Sequence, residues 1–263
     1  WDEVLPQVQA FDPENRLIFA TGPCAGFEGL SGARWVVCGK SPATTPNFFS
    51  HCNLGGSWGA ELKAAGFDGL VVQGKADRPV YILIENDKIK IADASNLWGK
   101  GAVQVREIIK GEHGSSIKVV TTGPAGDSMI AMATLLADND SSGSGGLGAV
   151  MGSKKLKAIA VGGSGSIKAA RPQRLQELLD YVNDLKKDAP DLEAGGRENL
   201  KEDHCSGCTI ECTRGIYEAK DGSKGKFMCQ SSSFYKEWAM KYYKQTNDVP
   251  FHATRLCDHY GLN

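Results

Sequence analysis

The chain has 263 residues, 41% apolar and 23% charged, the ordinary make-up of a globular protein with one or two domains. Its 30 basic and 31 acidic side chains leave a net charge of −1, so there is no electrostatic case for nucleic acid or an anionic membrane as partner. No apolar run approaches the ~18 residues of a membrane span and no signal peptide is visible, which points to a cytoplasmic protein with no membrane span.

Through residue 165 the chain alternates short strands and helices, punctuated by many of its 32 glycines. Arg16–Ala20 and Arg34–Cys38 are apolar strands. Asn53-Leu54-Gly55-Gly56-Ser57 leads into a helix over Trp58–Ala65, whose apolar face is spaced i, i+4, i+7 and which Gly66 ends. Gly69–Gln73 is a strand, and Tyr81–Glu85 and Lys88–Ile91 form a hairpin around Asn86-Asp87. A helix over Val103–Lys110, a strand over Ile117–Thr121, a helical stretch over Met129–Ala137 and a strand over Lys157–Val161 complete the region. Hairpins mixed with helices indicate an α+β fold over a regular βαβ series. Lys154, Lys155 and Lys157 read as a solvated edge, His51 and His113 as loop and surface residues, and Cys24, Cys38 and Cys52 as small buried side chains.

Two glycine-rich stretches, Cys52–Gly59 and Ser141–Lys154, expose backbone N–H groups that cradle a phosphate or simply turn around packed strands. Gly143-x-Gly145-x-x-Gly148 matches a dinucleotide fingerprint in letters, but it follows no clear strand and lacks the ribose-binding acid, so a Rossmann reading is rejected.

Composition shifts at Gly162–Ser166, which places a domain boundary at 165/166. Pro172 opens a helix whose Leu175, Leu178, Leu179, Val182 and Leu185 form a stripe that reads as core. Residues 188–204 read as a polar loop that delivers His204-Cys205-Ser206-Gly207-Cys208-Thr209-Ile210-Glu211-Cys212. Its C-x2-C-x3-C spacing lets three sulfurs aim at one point and leaves room for a fourth ligand. Thiolates in this pattern suit an iron–sulfur cluster or zinc, with a disulfide as the third option. Beyond it come a turn at Asp221-Gly222, a helix over Tyr235–Tyr243, and a last helix over Phe251–Tyr260. Asp248 is its expected cap, Pro250 an early position and Gly261 the C′ residue. The absence of an initial Met and the stop at Asn263 in mid-pattern read as a fragment of a longer protein.

Taken together, these pieces resemble the aldehyde ferredoxin oxidoreductase family. The resemblance rests on Asp12–Pro23, Asn53-x-Gly55-Gly56-x-x-Gly59-x-Glu61-Leu62-Lys63, Asp93–Lys100, Gly123–Gly126, the long run Gly145–Val161, the cysteine spacing and Asp258-x-x-Gly261-Leu262. It implies a β-rich N-terminal domain over 1–165 that serves as the base for the cofactor. The start of a mainly helical domain would follow over 166–263. The implied cofactors are a tungsten (or molybdenum) bis-pyranopterin, a 4Fe–4S cluster and a Mg²⁺ bridging the pterin phosphates. Cys205, Cys208 and Cys212 would bind the cluster, whose fourth ligand lies beyond Asn263. Arg34, Asn53, Gly55, Gly56, Gly145 and Gly146 would hold the pterin and its phosphates, and Asp258, Gly261 and Leu262 the pterin edge.

The implied reaction is oxidation of an aldehyde to a carboxylic acid, with electrons passed to ferredoxin or an iron–sulfur subunit, in an oligomer or multi-subunit complex. Three features depart from the family pattern. Ser231-Ser232-Ser233 stands where the family has Glu-x-Glu. Ser142-Gly143-Ser144-Gly145-Gly146 stands where it has Ala-Gly-Arg-Gly-Gly. The serine-rich Ser141-Ser142-x-Ser144 and the Met228-Cys229 pair before Ser231 resemble the tungsten subunit of class II benzoyl-CoA reductases, which makes reduction of an aromatic acyl-CoA the alternative. A zinc-stapled module built on Cys205, Cys208, Cys212 and Cys229 is the non-enzyme alternative. With serines at the glutamate positions, a proton acceptor is sought among Glu237, His252 and His259. An imidazole takes up a proton near neutral pH, and His252 and His259 share a helix face.

Overall fold

The computed structural model describes residues 4–187, 200–209, 215–227, 229–244 and 248–262. Strands β1 (Leu17–Thr21), β2 (Trp35–Ser41) and β3 (Phe48–Leu54) lead into helix α1 (Trp58–Ala64), and β4 (Gly69–Val72) completes an antiparallel sheet of order β3-β2-β1-β4. A six-stranded sheet follows. It contains the hairpin β5 (Val80–Glu85) and β6 (Lys88–Asp93), then β7 (Lys118–Thr122), β8 (Leu135–Ala137), β9 (Ser141–Gly143) and β10 (Leu156–Gly162). Its order is β6-β5-β10-β7-β8-β9, and only β5 and β10 run parallel, so the fold is α+β as expected. Helix α2 (Ala102–His113) precedes β7, α3 (Pro124–Asp127) follows it, and α4 (Leu147–Ser153) follows β9.

Period-2 alternation explains how the layers stack. Ile159 and Val161 of β10 point into a core shared with the first sheet, where Phe19, Trp35, Trp58, Leu62, Val150 and Met151 are buried. Ala158 and Ala160 point the other way, onto Val105 and Ile109 of α2. The Trp35 and Trp58 rings lie 4.4 Å apart, and Phe19 packs on Trp58 at 5.7 Å. Both indoles are buried without losing a hydrogen bond: Trp35 donates to the Gly55 carbonyl at 2.9 Å and Trp58 to that of Ile159 at 3.2 Å. Each such side chain contributes roughly 1.5–3 kcal/mol by burial.

Several expectations are corrected. Met129–Ala137 is not helical. Met129 has φ 55°, and Leu135–Ala137 is strand β8, because pairing of Leu136 with Thr121 outweighs the local helical pattern. The fingerprint glycines do join a strand to a helix, but β10, the strand after that helix, runs antiparallel to β9 across β7 and β8, so β9–α4–β10 is not a parallel βαβ unit. Helix α4 itself reads as loop from its glycines. It forms because Gly148 and Gly152 let its backbone touch other backbone: a Cβ on Gly152 would lie 1.9 Å from the Gly126 carbonyl, and one on Gly148 would lie 2.3 Å from that of Thr134. Cys24 is exposed and only Cys52 of its group is buried. His113 accepts or donates a 2.8 Å bond with the Tyr81 hydroxyl.

The remaining elements are α5 (Pro172–Lys187), the antiparallel meander β11 (Leu200–Glu202), β12 (Gly215–Glu218) and β13 (Lys224–Phe227), then α6 (Cys229–Tyr243) and α7 (Val249–Tyr260). The α5 stripe is not core. Leu178 is 41% and Leu185 54% exposed, while Leu179 reaches the Gly29 loop. Within 188–204, Leu200–Glu202 is strand and not loop, held by β12; residues 188–199 lie outside the described residues. Asp248 sits at the head of α7 but makes no capping bond; its carboxylate accepts the Tyr217 hydroxyl at 2.6 Å and the Lys220 N–H at 3.0 Å.

The lysine run is not a solvated edge. Lys157 is fully buried in an ion pair with Asp127 at 2.5 Å. Lys154 is 3% exposed, and its ammonium donates to the carbonyls of Asn15 (2.5 Å), Pro13 (3.2 Å) and Gly74 (3.2 Å), pinning the first strand's approach to β4. Lys154→Met keeps the volume and removes the donor. It is expected to cost the intact protein at least ~2 kcal/mol, because buried acceptors lose a charged partner; calorimetry against the wild type checks this.

Candidate functional site

Three loops converge on the turn between β3 and α1. Gly55 donates its N–H to the Ser141 hydroxyl at 2.7 Å, which ties the first glycine-rich stretch to the second. Gly143 lies against the same strand: a Cβ there would be 2.7 Å from the Cys52 sulfur. A Cβ on Gly145 would be 2.7 Å from the Ser50 hydroxyl, and Gly145's carbonyl accepts the Ser41 hydroxyl at 2.6 Å. The two glycine-rich stretches therefore meet along β3.

The cysteine loop is the third. Gly56 donates its N–H to the Cys205 sulfur at 3.1 Å, and Ser206 N–H returns a bond to the Gly56 carbonyl at 3.1 Å. Gly55 must be glycine here, since a Cβ would stand 2.8 Å from the Cys205 sulfur. Cys208 N–H donates to the Cys205 carbonyl at 3.0 Å, closing a turn through Gly207 (φ 67°). The Gly207 carbonyl accepts N–H groups of Gly29 (3.0 Å) and Ser31 (3.2 Å), so a second loop braces the turn from outside. Cys205 and Cys208 are half-buried on one turn, an arrangement suited to thiolate ligation of a cluster. Cys212 lies outside the described residues, as do the side chains of Cys229 and Ser231–Ser233.

On its other side the turn leads to the open face of the four-stranded sheet. Leu54, Cys52 and Trp35 point inward, so Asn53, His51 and Val36 point out by alternation. Asn53 and Arg34 are both exposed there, and Arg34 donates to the Asn53 carbonyl at 3.5 Å. With Val71 of β4 (56% exposed) and Phe49 (45%), this is a flat apolar surface with a cation and an amide at one edge.

The end of α7 docks elsewhere on the second sheet. Gly261 takes the left-handed conformation (φ 73°), its carbonyl accepts the Thr134 N–H at 2.8 Å, and Leu262 bridges Ala133. A Cβ on Gly261 would lie 2.8 Å from the Gly123 N. His259 is half-buried, with its ring where a Cβ on Gly101 would sit. His252 is exposed, 3.8 Å from Asp221, and Glu237 is exposed on α6. His252 and His259 border the same groove along α7 with Arg255 and Val103.

One group that periodicity does not reveal joins these parts: the 3₁₀ turn Asp138-Asn139-Asp140. Asp138 accepts the Val119 N–H and pairs with Lys110 of α2. Asn139 accepts the Ser57 hydroxyl at 2.9 Å and donates to Asp203 at 3.2 Å, two residues before Cys205. Asp140 pairs with Arg106 and with Arg255 (3.1 Å), and accepts the Lys226 N–H at 3.0 Å. The only hint in the sequence is three consecutive polar residues between an apolar strand and a glycine loop. Burial alone would raise the Asp140 pKa, but Arg106 and Arg255 overcome it and hold the carboxyl at about 2. Asp258 shares this pocket. Burial first, then the Asp140 charge, pushes it up to about 7 against Lys226, Arg255 and Arg106.

The signs of these two shifts are opposite. Asp140's stabilising contribution is present above its unfolded value of 3.8 and is lost as pH falls through about 2. Asp258 favours folding below 3.8, and that contribution is lost as pH rises through about 7. Asp258→Asn is expected to leave the Tm of the cofactor-free intact protein unchanged at pH 4 and to raise it at pH 8, as read by calorimetry at both pH values.

Residues 1–163 match the family model described as aldehyde ferredoxin oxidoreductase, N-terminal domain. The chain is 44% identical over 189 residues to the tungsten-containing aldehyde ferredoxin oxidoreductase of Pyrococcus furiosus, a match that covers 71% of this chain and 31% of that protein. It is 34% identical over 196 residues to the aliphatic sulfonate oxidoreductase, WOR-like subunit, of the same organism, covering 68% of this chain and again 31% of the relative. Among solved structures it is similar to the active site complex BamBC of benzoyl coenzyme A reductase in complex with 1,5-dienoyl-CoA. The TM-score is 0.81 at 29% identity, over 100% of this chain and 47% of that one.

Proposed function

Because the chain belongs to the aldehyde ferredoxin oxidoreductase family, we propose that it forms the cofactor-holding part of a tungsten enzyme that oxidises aldehydes to carboxylic acids and passes the electrons to ferredoxin or a similar iron–sulfur acceptor. The boundary of its base domain is placed at 165/166, with the helical domain beginning after it. One observation carries the reading. The β3–α1 turn meets the Cys205 sulfur at the Gly56 N–H and runs back into Asn53, whose carbonyl accepts Arg34 from the neighbouring strand, so a candidate electron-transfer ligand and a candidate cofactor surface adjoin one short turn.

The residues fit the groups the family implies. Cys205, Cys208 and Cys212 supply thiolates for a 4Fe–4S cluster, with the fourth ligand from elsewhere. Arg34 and Asn53, with the backbone N–H groups around Gly145 and Gly146, suit the phosphates of two pyranopterins and a bridging Mg²⁺, while Gly55 and Gly56 let the Cys205 sulfur and the Asp138–Asn139 turn pack directly on the main chain beside them. Asp258, Gly261 and Leu262 present the end of α7 to the pterin edge. When bound, the tungsten bis-pyranopterin supplies two-electron chemistry at low potential.

Conversion of an aldehyde to an acid adds one oxygen from water and releases two electrons and protons, so the protein needs a proton acceptor. Among His259, Glu237 and His252, His259 is favoured. It alone is half-buried and adjoins Asp258, whereas the other two face solvent. Single Gln replacements with tungsten content held equal are expected to lower kcat about 10²-fold and move the pH profile for His259 only. Wild-type kinetics in all three variants would place the acceptor at another residue and overturn this assignment.

The second reading, reduction of an aromatic acyl-CoA, is supported by the likeness to the benzoyl coenzyme A reductase complex and by the serine-rich Ser141-Ser142-x-Ser144, where Ser144 stands at the family's arginine position. The intact enzyme decides between them. Turnover of aldehydes with a viologen acceptor is expected, and turnover of benzoyl-CoA with a strong reductant, without aldehyde activity, would overturn the proposal. One zinc with no iron or tungsten would instead indicate the zinc-stapled module.

A further inference from the structure

We propose that Asn139 is a positioning residue for the iron–sulfur cluster, acting through the Gly56 N–H that it holds against the Cys205 sulfur. The inference rests on the reading of Cys205 as a cluster ligand.

The geometry begins with the backbone. Asn139 has φ 57° and ψ 29°, a left-handed conformation that asparagine tolerates better than most residues. That conformation carries its side-chain amide out of the turn between two loops. The amide oxygen accepts the Ser57 hydroxyl at 2.9 Å, and the amide nitrogen donates to the Asp203 carboxylate at 3.2 Å. Ser57 directly follows Gly56, and Asp203 stands two residues before Cys205. One side chain therefore clamps both partners of the Gly56 N–H to sulfur bond, 3.1 Å long.

Gly56 has no freedom to escape the clamp. It lies at φ 79°, and a Cβ there would meet the Asp138 carbonyl at 2.5 Å and the Asn139 amide oxygen at 3.2 Å. The turn is anchored from behind by Asp138 on Lys110 and Asp140 on Arg106, both part of the rigid second sheet and α2. The position of the Gly56 N–H relative to sulfur is thus set by the 3₁₀ turn together with the Ser206 N–H bond to the Gly56 carbonyl.

Hydrogen bonds to cluster sulfurs raise the reduction potential, because they stabilise the more negative reduced state. Loosening the clamp should lower that potential without removing a ligand. Ser57→Ala cuts one arm. Asn139→Asp keeps the acceptor for Ser57, loses the donor, and sets a carboxylate against Asp203. Asn139→Gly cuts both arms and suits the same backbone.

The test is a redox titration of the full-length holoenzyme followed by low-temperature EPR, with iron content measured in each sample. Asn139→Gly is expected to keep its iron, to shift the cluster potential negative and to change the g-values; Ser57→Ala should shift it less, in the same direction. Unchanged potential and g-values in an iron-replete Asn139→Gly enzyme would overturn the proposal. If Asn139→Gly does not assemble the cluster, Ser57→Ala decides: a negative shift supports the clamp, and an unchanged potential overturns it. A wild-type enzyme without a cluster signal overturns the cluster reading itself, and the clamp with it.

Discussion

Asp138, Asn139 and Asp140 are consecutive, yet together they tie four parts of the molecule: Asp138 holds α2 and β7, Asn139 the β3–α1 turn and the cysteine loop, and Asp140 α2 again with β13 and α7. Asp140 is the most constrained of them, since two guanidinium groups and the Lys226 N–H converge on a carboxylate that burial alone would protonate. Removing one side of such a cluster leaves the rest charged and dry, at a cost of about 3–5 kcal/mol. The turn that bears these residues places Ser141 where it meets Gly55 and leads on to Gly145. The relation of cysteine loop, glycine-rich stretches and α7 thus depends on three residues with almost no apolar surface.

Glycine supports this arrangement in a different way. At Gly55, Gly148 and Gly152 the missing Cβ lets sulfur or backbone come within 3 Å of where it would be. At these places side-chain packing gives way to close approach of main chain or sulfur to the backbone. The price is that α4 has little intrinsic helix propensity and holds its shape only while α3 and β8 stand behind it.

The open face of the four-stranded sheet and the exposed side of α5 are both apolar surfaces left uncovered, but they differ in what borders them. The sheet face has the Arg34 guanidinium and the Asn53 amide at its edge. The α5 stripe is bordered by charged residues of its own helix and carries no such groups. The chain spans 31% of the length of the curated relatives it matches.

Much was legible in the sequence by itself: β1, β2, β4, the β5–β6 hairpin, α1, α2 and α7 with Gly261 at its end. Apolar period, turn residues and caps act over a few positions, so they leave a local mark. The cysteine spacing and the glycine stretches were visible for the same reason. Only the tertiary structure decided that Leu135–Ala137 is strand, that α4 is helix, that Lys154 and Lys157 are buried, and that the α5 stripe is not core. Those outcomes depend on partners distant in the chain. Asn139 and Ser57 are 82 residues apart, and Asp140 and Arg255 are 115 apart. A hydrogen bond or ion pair across such a distance has no period and no neighbouring signature, and its free energy exists only once the sheets have brought its two ends together.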